Sequence, residues 1–321
     1  MTNRRTIDYL RISVTDRCNL RCVYCMPEGG CPETPRHEIL SYEEIVRVAG
    51  VLSGVGIRHL RVTGGEPMVR PGCLDLVRRL RGLPGIESVS MTSNGQLLYG
   101  RIAEARDAGL SALNLSIDSL CPETYARLTR GGCVRRTLDT LFEAIRAGLP
   151  VKINAVPLRG VPTEDWTNLA ELAREYPVRV RFIELMPIGR AQGLEGVPQR
   201  EVMERLSAAF GPLRPDKTPY GHGPAVYYRP DGFAGSIGFI SAVTREFCGS
   251  CNRLRLTADG FLKLCLNRAG GLDLRGLLRG GADNVRLETE IREAIARKPE
   301  RHGFFECLPD RETRTMNGIG G

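Results

Sequence analysis

The sequence predicts an α/β protein built on a parallel sheet with helices outside it. Three observations carry this. Six short apolar runs alternate with helix-like segments, polar residues gather at the carboxyl ends of those runs, and glycines stand where helices should end. The runs Tyr9–Val14, Arg58–Thr63, Ser88–Thr92, Ala112–Ile117, Val151–Val156 and Val178–Ile183 read as strands. Helical spacing falls between them at Tyr42–Leu52, Leu74–Arg81, Leu98–Asp107, Cys133–Ala147 and Glu164–Glu175. Ser41 and Glu44 form a capping box for the first helix, and Gly54, Gly109 and Gly148 occupy C-cap positions. The polar strand ends are Arg11, Thr63–Glu66, Thr92–Asn94, Ser116–Asp118, Asn154 and Glu184–Met186. Element order suits a barrel and an open sheet alike, and in both these ends form the ligand-binding rim.

After Met186 the rhythm changes, which divides the chain into 1–190 and 191–321. Pro187–Pro198 is rich in Gly and Pro, Arg200–Phe210 reads as a helix, and a loop-rich stretch follows to Gly235. Short strands come next, then a helix at Val285–Ala296 and a tail ending Gly318-Ile319-Gly320-Gly321.

The 321 residues include 42% apolar residues, enough for a sizeable core, and carry a formal charge of +8. Only Lys152, Lys217, Lys263 and Lys298 are lysines, so 41 of the 45 cations are arginine. Coding bias is the plain explanation for most of them. Their even spread argues against a nucleic-acid-binding arm. No apolar stretch reaches the roughly 20 residues needed to cross a bilayer. The first ten residues lack a secretory apolar region, which predicts a cytoplasmic protein with no membrane partner. In that compartment eleven cysteines at clustered spacings point to metal sites rather than disulfides.

Cys18, Cys22 and Cys25 lie at a C-x3-C-x2-C spacing just after the first strand. Three thiolates on a four-iron cluster leave one iron open for a small molecule. A zinc site completed by His37, and unligated buried thiols, are the alternatives. The second group, Cys248, Cys251 and Cys265, is again three, so a zinc ribbon lacks its second pair. Arg253 and Arg255 follow at once, and strand alternation turns both to one side. Cations beside a metal site favour an anionic ligand, whereas isolated ones would be solvated charges.

The cysteine loop with Gly64-Gly65-Glu66-Pro67 resembles the signature of the radical S-adenosylmethionine (SAM) enzymes. With L-S-I-D-S, K-I-N-A-V, R-F-I-E-L-M-P, the second cysteine group and the terminal G-I-G-G, nearly the whole chain resembles the molybdenum-cofactor biosynthesis protein A family, the GTP 3′,8-cyclases. The resemblance implies an incomplete six-unit β/α barrel of TIM type in 1–190. It implies a C-terminal region in 191–321 that closes the mouth. Two 4Fe-4S clusters are implied, on Cys18, Cys22 and Cys25 and on Cys248, Cys251 and Cys265, with SAM at the first and GTP at the second.

Residue by residue, the resemblance assigns SAM binding to Tyr24, Gly65, Ser116 and Met186. It assigns GTP binding to Arg11, Arg61, Thr92, Lys152, Arg181, Arg253 and Arg255, and catalytic support to Arg314, Gly320 and Gly321. Glu66 is implied to reach SAM's amino group. The implied activity is that of a lyase. A 5′-deoxyadenosyl radical takes the C3′ hydrogen of GTP, the sugar attacks guanine C8, and 3′,8-cyclo-7,8-dihydro-GTP results. Implied partners are a flavodoxin- or ferredoxin-like reductant, a cyclic pyranopterin monophosphate synthase that uses the product, and a second copy in a homodimer. His59 stands where relatives carry a lysine-like residue, which implies a weaker triphosphate contact there, and Cys31, Cys73, Cys121, Cys133 and Cys307 match no cluster position. A peptide-modifying radical SAM maturase and a zinc-dependent RNA-binding protein are the rival readings.

Overall fold

The computed structural model describes residues 5–306 and 309–320. Six β-α units run in order: β1 Tyr9–Ser13, α1 Tyr42–Gly54, β2 His59–Thr63, α2 Cys73–Arg81, β3 Ser88–Ser93, α3 Ile102–Asp107, β4 Ala112–Ser116, α4 Pro122–Thr129 with α5 Val134–Arg146, β5 Val151–Ala155, α6 Glu164–Glu175 and β6 Arg179–Ile183. The C-terminal region adds α7 Gln199–Phe210, β7 Arg214–Asp216, β8 Val226–Arg229, β9 Ser236–Ile240, β10 Arg253–Leu256, β11 Phe261–Lys263, β12 Gly271–Asp273, α8 Leu274–Arg279, α9 Asn284–Ala296 and α10 Met316–Ile319.

The six strands pair in parallel and in sequence, and two later strands extend them. β10 joins parallel to β1 at one edge and β9 parallel to β6 at the other, giving eight parallel strands. Two antiparallel strands flank each edge. The C-terminal region therefore completes the wall as well as covering an end. The sheet stays open, with β12 and β7 at its edges, and residues 241–252 connect β9 to β10.

Strand alternation separates two environments. Leu10, Ile12, Leu60 and Val62 face the helices and are buried in the main apolar cluster. Arg11, Arg61, Lys152, Arg181 and Arg255 face inward. The sheet is curled: the charge of Arg61 on β2 reaches Arg181 on β6, which a flat sheet would hold about 19 Å away.

Ser41 and Glu44 make the reciprocal capping box that the sequence shows. The helix that follows runs to Gly54, so the left-handed residue beyond its end is Gly56, at φ 116°, and not Gly54. Gly109 and Gly148 do adopt positive φ. Leu98–Arg101 forms turns before α3, shortening the expected helix. The helix at Pro122–Thr129 went unread because only about two turns carry its pattern.

Candidate active site

The first cysteine loop is seated by backbone contact. Gly65 N–H donates to Thr15 O at 2.7 Å and Glu66 N–H to Arg17 O at 2.8 Å. A Cβ on Gly65 would lie 2.3 Å from Arg17 O, so glycine is required by the loop above it. Glu66, which the resemblance implies reaches SAM's amino group, is held in place by its own neighbours. Its carboxylate accepts from Met68 N, Asn94 N and Ser93 Oγ at 3.1, 2.8 and 2.9 Å, tying β2 to β3. Burial still pushes its pKa up to about 7.

Cys18, Cys22 and Cys25 face one another closely enough to feel each other's charge. Burial pushes Cys18 up to about 11 and Cys25 up to about 12, and raises Cys22 well above the usual thiol range. Converging thiols that stay protonated without a metal fit a cluster as their ligand, since a coordinating thiol is deprotonated outright. His37 is exposed, with its ring 3.7 Å from Glu38, which removes it as a fourth ligand. Tyr24 donates to Asp118 Oδ2 at 2.8 Å, and Asp118 Oδ1 accepts from Val156 N at 2.9 Å. Asp118 therefore pins Tyr24 beside the cysteines and caps no helix. Ser116 ends β4, half-buried. Met186 packs on Ile188, Phe304 and Ile319.

Below this loop the barrel interior is lined with cations. Parallel register places Arg255, Arg11 and Arg61 side by side, and Thr92, Asn114, Lys152 and Arg179 in a second row. Burial, with Arg255 and Arg61 adding to it, drives the Arg11 pKa well below its ordinary value. Burial and Arg253 lower Arg255 to about 10. Burial lowers Arg181 to about 10, with Arg61 assisting. Burial, Arg181 and Arg61 lower Lys152 to about 7. Arg61 donates to Ser90 Oγ at 3.3 Å and Arg181 to Asn114 Oδ1 at 2.6 Å, both neutral acceptors. Thr92 Oγ1, Asn154 Oδ1 and Arg181 Nε are buried without a partner. Crowded cations and orphaned polar atoms together suit a polyanionic ligand.

The second trio lies at the other end of the strands. Cys248 and Cys251 precede β10, whose first residue pairs with the first of β1, and Cys265 follows β11. The five-residue β1, a rise of about 17 Å, separates this end from the first trio. The space between the trios is thus the barrel interior. Cys248 lies close enough to Cys251 and Cys265 to feel the charge of both, again a donor set suited to a cluster. Burial works to raise Cys251, but Arg253 and Lys298 outweigh it and bring the thiol to about 7.

The tail enters the interior. Ile319 is fully buried, and Gly320, at φ 86°, would place a Cβ 2.7 Å from Ser13 Cβ. Gly320 O accepts from Arg255 at 2.8 Å, and Asn317 Nδ2 donates to Asp16 O at 3.1 Å. Gly321 and Cys307 lie outside the described residues. Arg314 stands apart from the cation rows: it donates to Glu312 at 3.2 Å and lies 3.8 Å from Asp259. Glu312 in turn pairs with the buried Lys263, the neighbour of Arg255 across β10 and β11. Lys263 and Lys298 were missed as site residues. Their rarity was the available signal, since three of the four lysines sit at this site and only Lys217 is exposed. Of the remaining cysteines, Cys31 contacts Thr315 and Asn317 at 3.5 and 3.6 Å, Cys73 is buried in the core, and Cys121 and Cys133 flank helices.

Residues 12–173 match the Radical SAM superfamily and residues 178–304 match Molybdenum Cofactor Synthesis C. The solved structure of Streptococcus suis SuiB has the same fold, with a TM-score of 0.65 over 93% of this chain and 67% of its own at 14% identity. Fold and first cysteine loop together define a radical SAM protein. The GTP 3′,8-cyclase of Pelotomaculum thermopropionicum is 47% identical over 100% of this chain and 99% of its own, and that of Moorella thermoacetica 44% identical over 100% and 99%. The chain belongs to the GTP 3′,8-cyclase family, and its cofactors are SAM and iron–sulfur clusters. These whole-length identities set aside both the maturase and the RNA-binding readings.

Proposed function

We propose that this chain cyclises GTP to 3′,8-cyclo-7,8-dihydro-GTP in molybdenum-cofactor synthesis, using SAM. The carrying observation is the double row of interior cations between two three-cysteine sites, with Thr92, Asn154 and Arg181 offering unpartnered atoms. Cys18, Cys22 and Cys25 hold the cluster that binds SAM, beside Tyr24, Gly65, Ser116 and Met186. Cys248, Cys251 and Cys265 hold the cluster that faces the substrate. When bound, SAM and its cluster supply the one-electron chemistry that removes the C3′ hydrogen of GTP.

The chain's own residues set the outcome. Arg11, Arg61, Lys152, Arg181, Arg253 and Arg255 neutralise the triphosphate and fix it along the axis, and Thr92 adds a neutral donor. Gly320, tied to Arg255, covers the gap between SAM and the sugar and excludes water from it. The family likeness gives Gly321 a catalytic part as well, and Arg314 holds the tail through Glu312. The region 1–190 is the radical SAM barrel with the first cluster and most of the GTP-binding cations, and 191–321 brings the second cluster, Arg253, Arg255 and the tail. By family likeness the enzyme is a cytoplasmic one fed by a flavodoxin- or ferredoxin-like donor, with a cyclic pyranopterin monophosphate synthase consuming the product. A homodimer follows from the family likeness. No helix among the described residues is long and apolar enough to cross a membrane.

Anaerobic incubation of the reconstituted protein with GTP, SAM and a reductant tests this. The expected result is GTP-dependent 5′-deoxyadenosine together with an isomer of GTP, identified by mass and NMR. SAM cleavage with no GTP-derived product overturns the reading.

A further inference from the structure

The short helix α10 rests on the first cysteine loop, a contact that covering the substrate does not require. Asn317, inside this helix, is 4% exposed and meets the loop at three points. Its Nδ2 donates to Asp16 O at 3.1 Å, just ahead of Cys18. Its Oδ1 faces Cys31 Sγ at 3.6 Å, beyond Cys25. Its backbone N–H donates to the sulfur of Cys25. Burial, with Cys18 and Cys31 adding to it, pushes that thiol up to about 12, and the hydrogen bond from Asn317 works against them. The donor is available because Asn317 lies in the first turn of α10, where a backbone N–H has no partner within the helix.

The segment around Asn317 is seated from other sides as well. Thr315 Oγ1 lies 3.5 Å from Cys31 Sγ. A Cβ on Gly189 would lie 2.9 Å from Thr315 Cα, and Ile319 is fully buried against Ile188 and Phe304. Gly320 O accepts from Arg255, one of the interior cations. A few residues of tail therefore touch a ligand sulfur of the first trio and an arginine of the substrate space. Hydrogen bonds to its sulfurs help to set the potential of an iron–sulfur cluster. A donor favours the more negative, reduced form, so the cluster takes up an electron more readily while that donor is in place. A tail that lifts away takes the Asn317 donor with it.

We infer that Asn317 is a positioning residue through which the seated tail raises the reduction potential of the first cluster, so that electron entry is favoured while the C-terminal segment is closed over the interior. The inference rests on the first trio's holding the SAM-binding cluster and does not require that GTP be the substrate. With the tail out, the cluster is harder to reduce, and SAM cleavage without a closed interior slows.

A reductive titration of the reconstituted full chain, without GTP and followed by electron paramagnetic resonance, tests this. The first cluster is the one whose signal changes when SAM is added. Asn317→Ala keeps the N–H and removes the two side-chain contacts. Asn317→Pro removes the N–H as well, in a first helical turn, where proline is tolerated. Both should keep their iron. Asn317→Pro should make the first cluster about tenfold harder to reduce, a shift of about 59 mV to lower potential for one electron. Asn317→Ala should shift it the same way by less, Asn317→Gln should recover part of that loss, and the second cluster should not move. An unchanged first-cluster potential in both Asn317→Pro and Asn317→Ala, or an equal shift in both clusters, overturns the inference. A parent protein with no SAM-responsive signal overturns instead the reading of the first trio, so the two failures are distinct.

Discussion

The two cysteine trios share a ligand count and differ in surroundings. The first sits beside the carboxyl groups of Glu66 and Asp118 and the guanidinium of Arg21, and burial holds its thiols at about 11 and above. The second sits among Arg253, Lys298 and their neighbours, and Cys251 falls to about 7. The carboxyl groups beside the first suit a cofactor that brings its own positive centre. The second is continuous with the interior arginines and suits an anion. The fourth ligand that each trio lacks is therefore selected by the field around it.

The sharpest way to break this contrast is to remove one thiol from each side. Cys22→Ala should lower iron from about eight to about four per chain and abolish SAM cleavage. Cys251→Ala should also halve the iron, yet keep uncoupled SAM cleavage while losing the GTP product. Equal phenotypes would show that the trios are not separate in role.

A second test concerns how the cationic side is held. Lys263 and Glu312 form a buried pair, with side chains 0% and 2% exposed, and nothing comparable supports the first loop among the described residues. Glu312→Ala leaves a buried ammonium unpaired and should cost about 3–5 kcal/mol of stability. Chemical denaturation measures it; a loss under 1 kcal/mol would mean that Lys263 finds water instead.

Next in size is the anion contact itself. Arg255→Ala should raise the GTP KM about 10- to 100-fold, the worth of a charged hydrogen bond, and leave SAM affinity unchanged. An equal change in SAM affinity would dissolve the proposed division of labour.

The smallest effect is in pH. Lys152 is held at about 7, below its ordinary 10.5, so above pH 7 it is neutral in the empty protein. A bound triphosphate favours its charged form, and binding above pH 7 then takes up a proton. GTP affinity should fall as pH rises from 7, by at most about tenfold per unit. Unfolded chains bind this proton up to 10.5, so the same group makes stability rise with pH between 7 and 10.5. Calorimetry in buffers of different ionisation heat reads the proton uptake. Lys152→Arg should flatten it, and an unchanged uptake would assign the proton elsewhere.

Much of this was legible in the chain. Hydrophobic alternation located all six leading strands to within a residue or so, because each has one face against helices and one against the interior. The same alternation puts Arg253 and Arg255 on one side of β10. The hold on Glu66 was not legible, because its partners Ser93 and Asn94 lie almost thirty residues away. Lys263 and Glu312, 49 residues apart, have no local pattern that joins them.

By itself the sequence determined the β-α order, the two incomplete cysteine sets and the rare lysines, since these depend on local spacing and chemistry. Only the tertiary structure decided that β9 and β10 extend the wall, and that the trios lie at opposite ends of β1. It alone brought Gly320 against Ser13 and Arg255, and Asn317 against the first cysteine loop. Strand order and curl fix those contacts. They arise from packing between residues far apart in the chain, where no local periodicity records them.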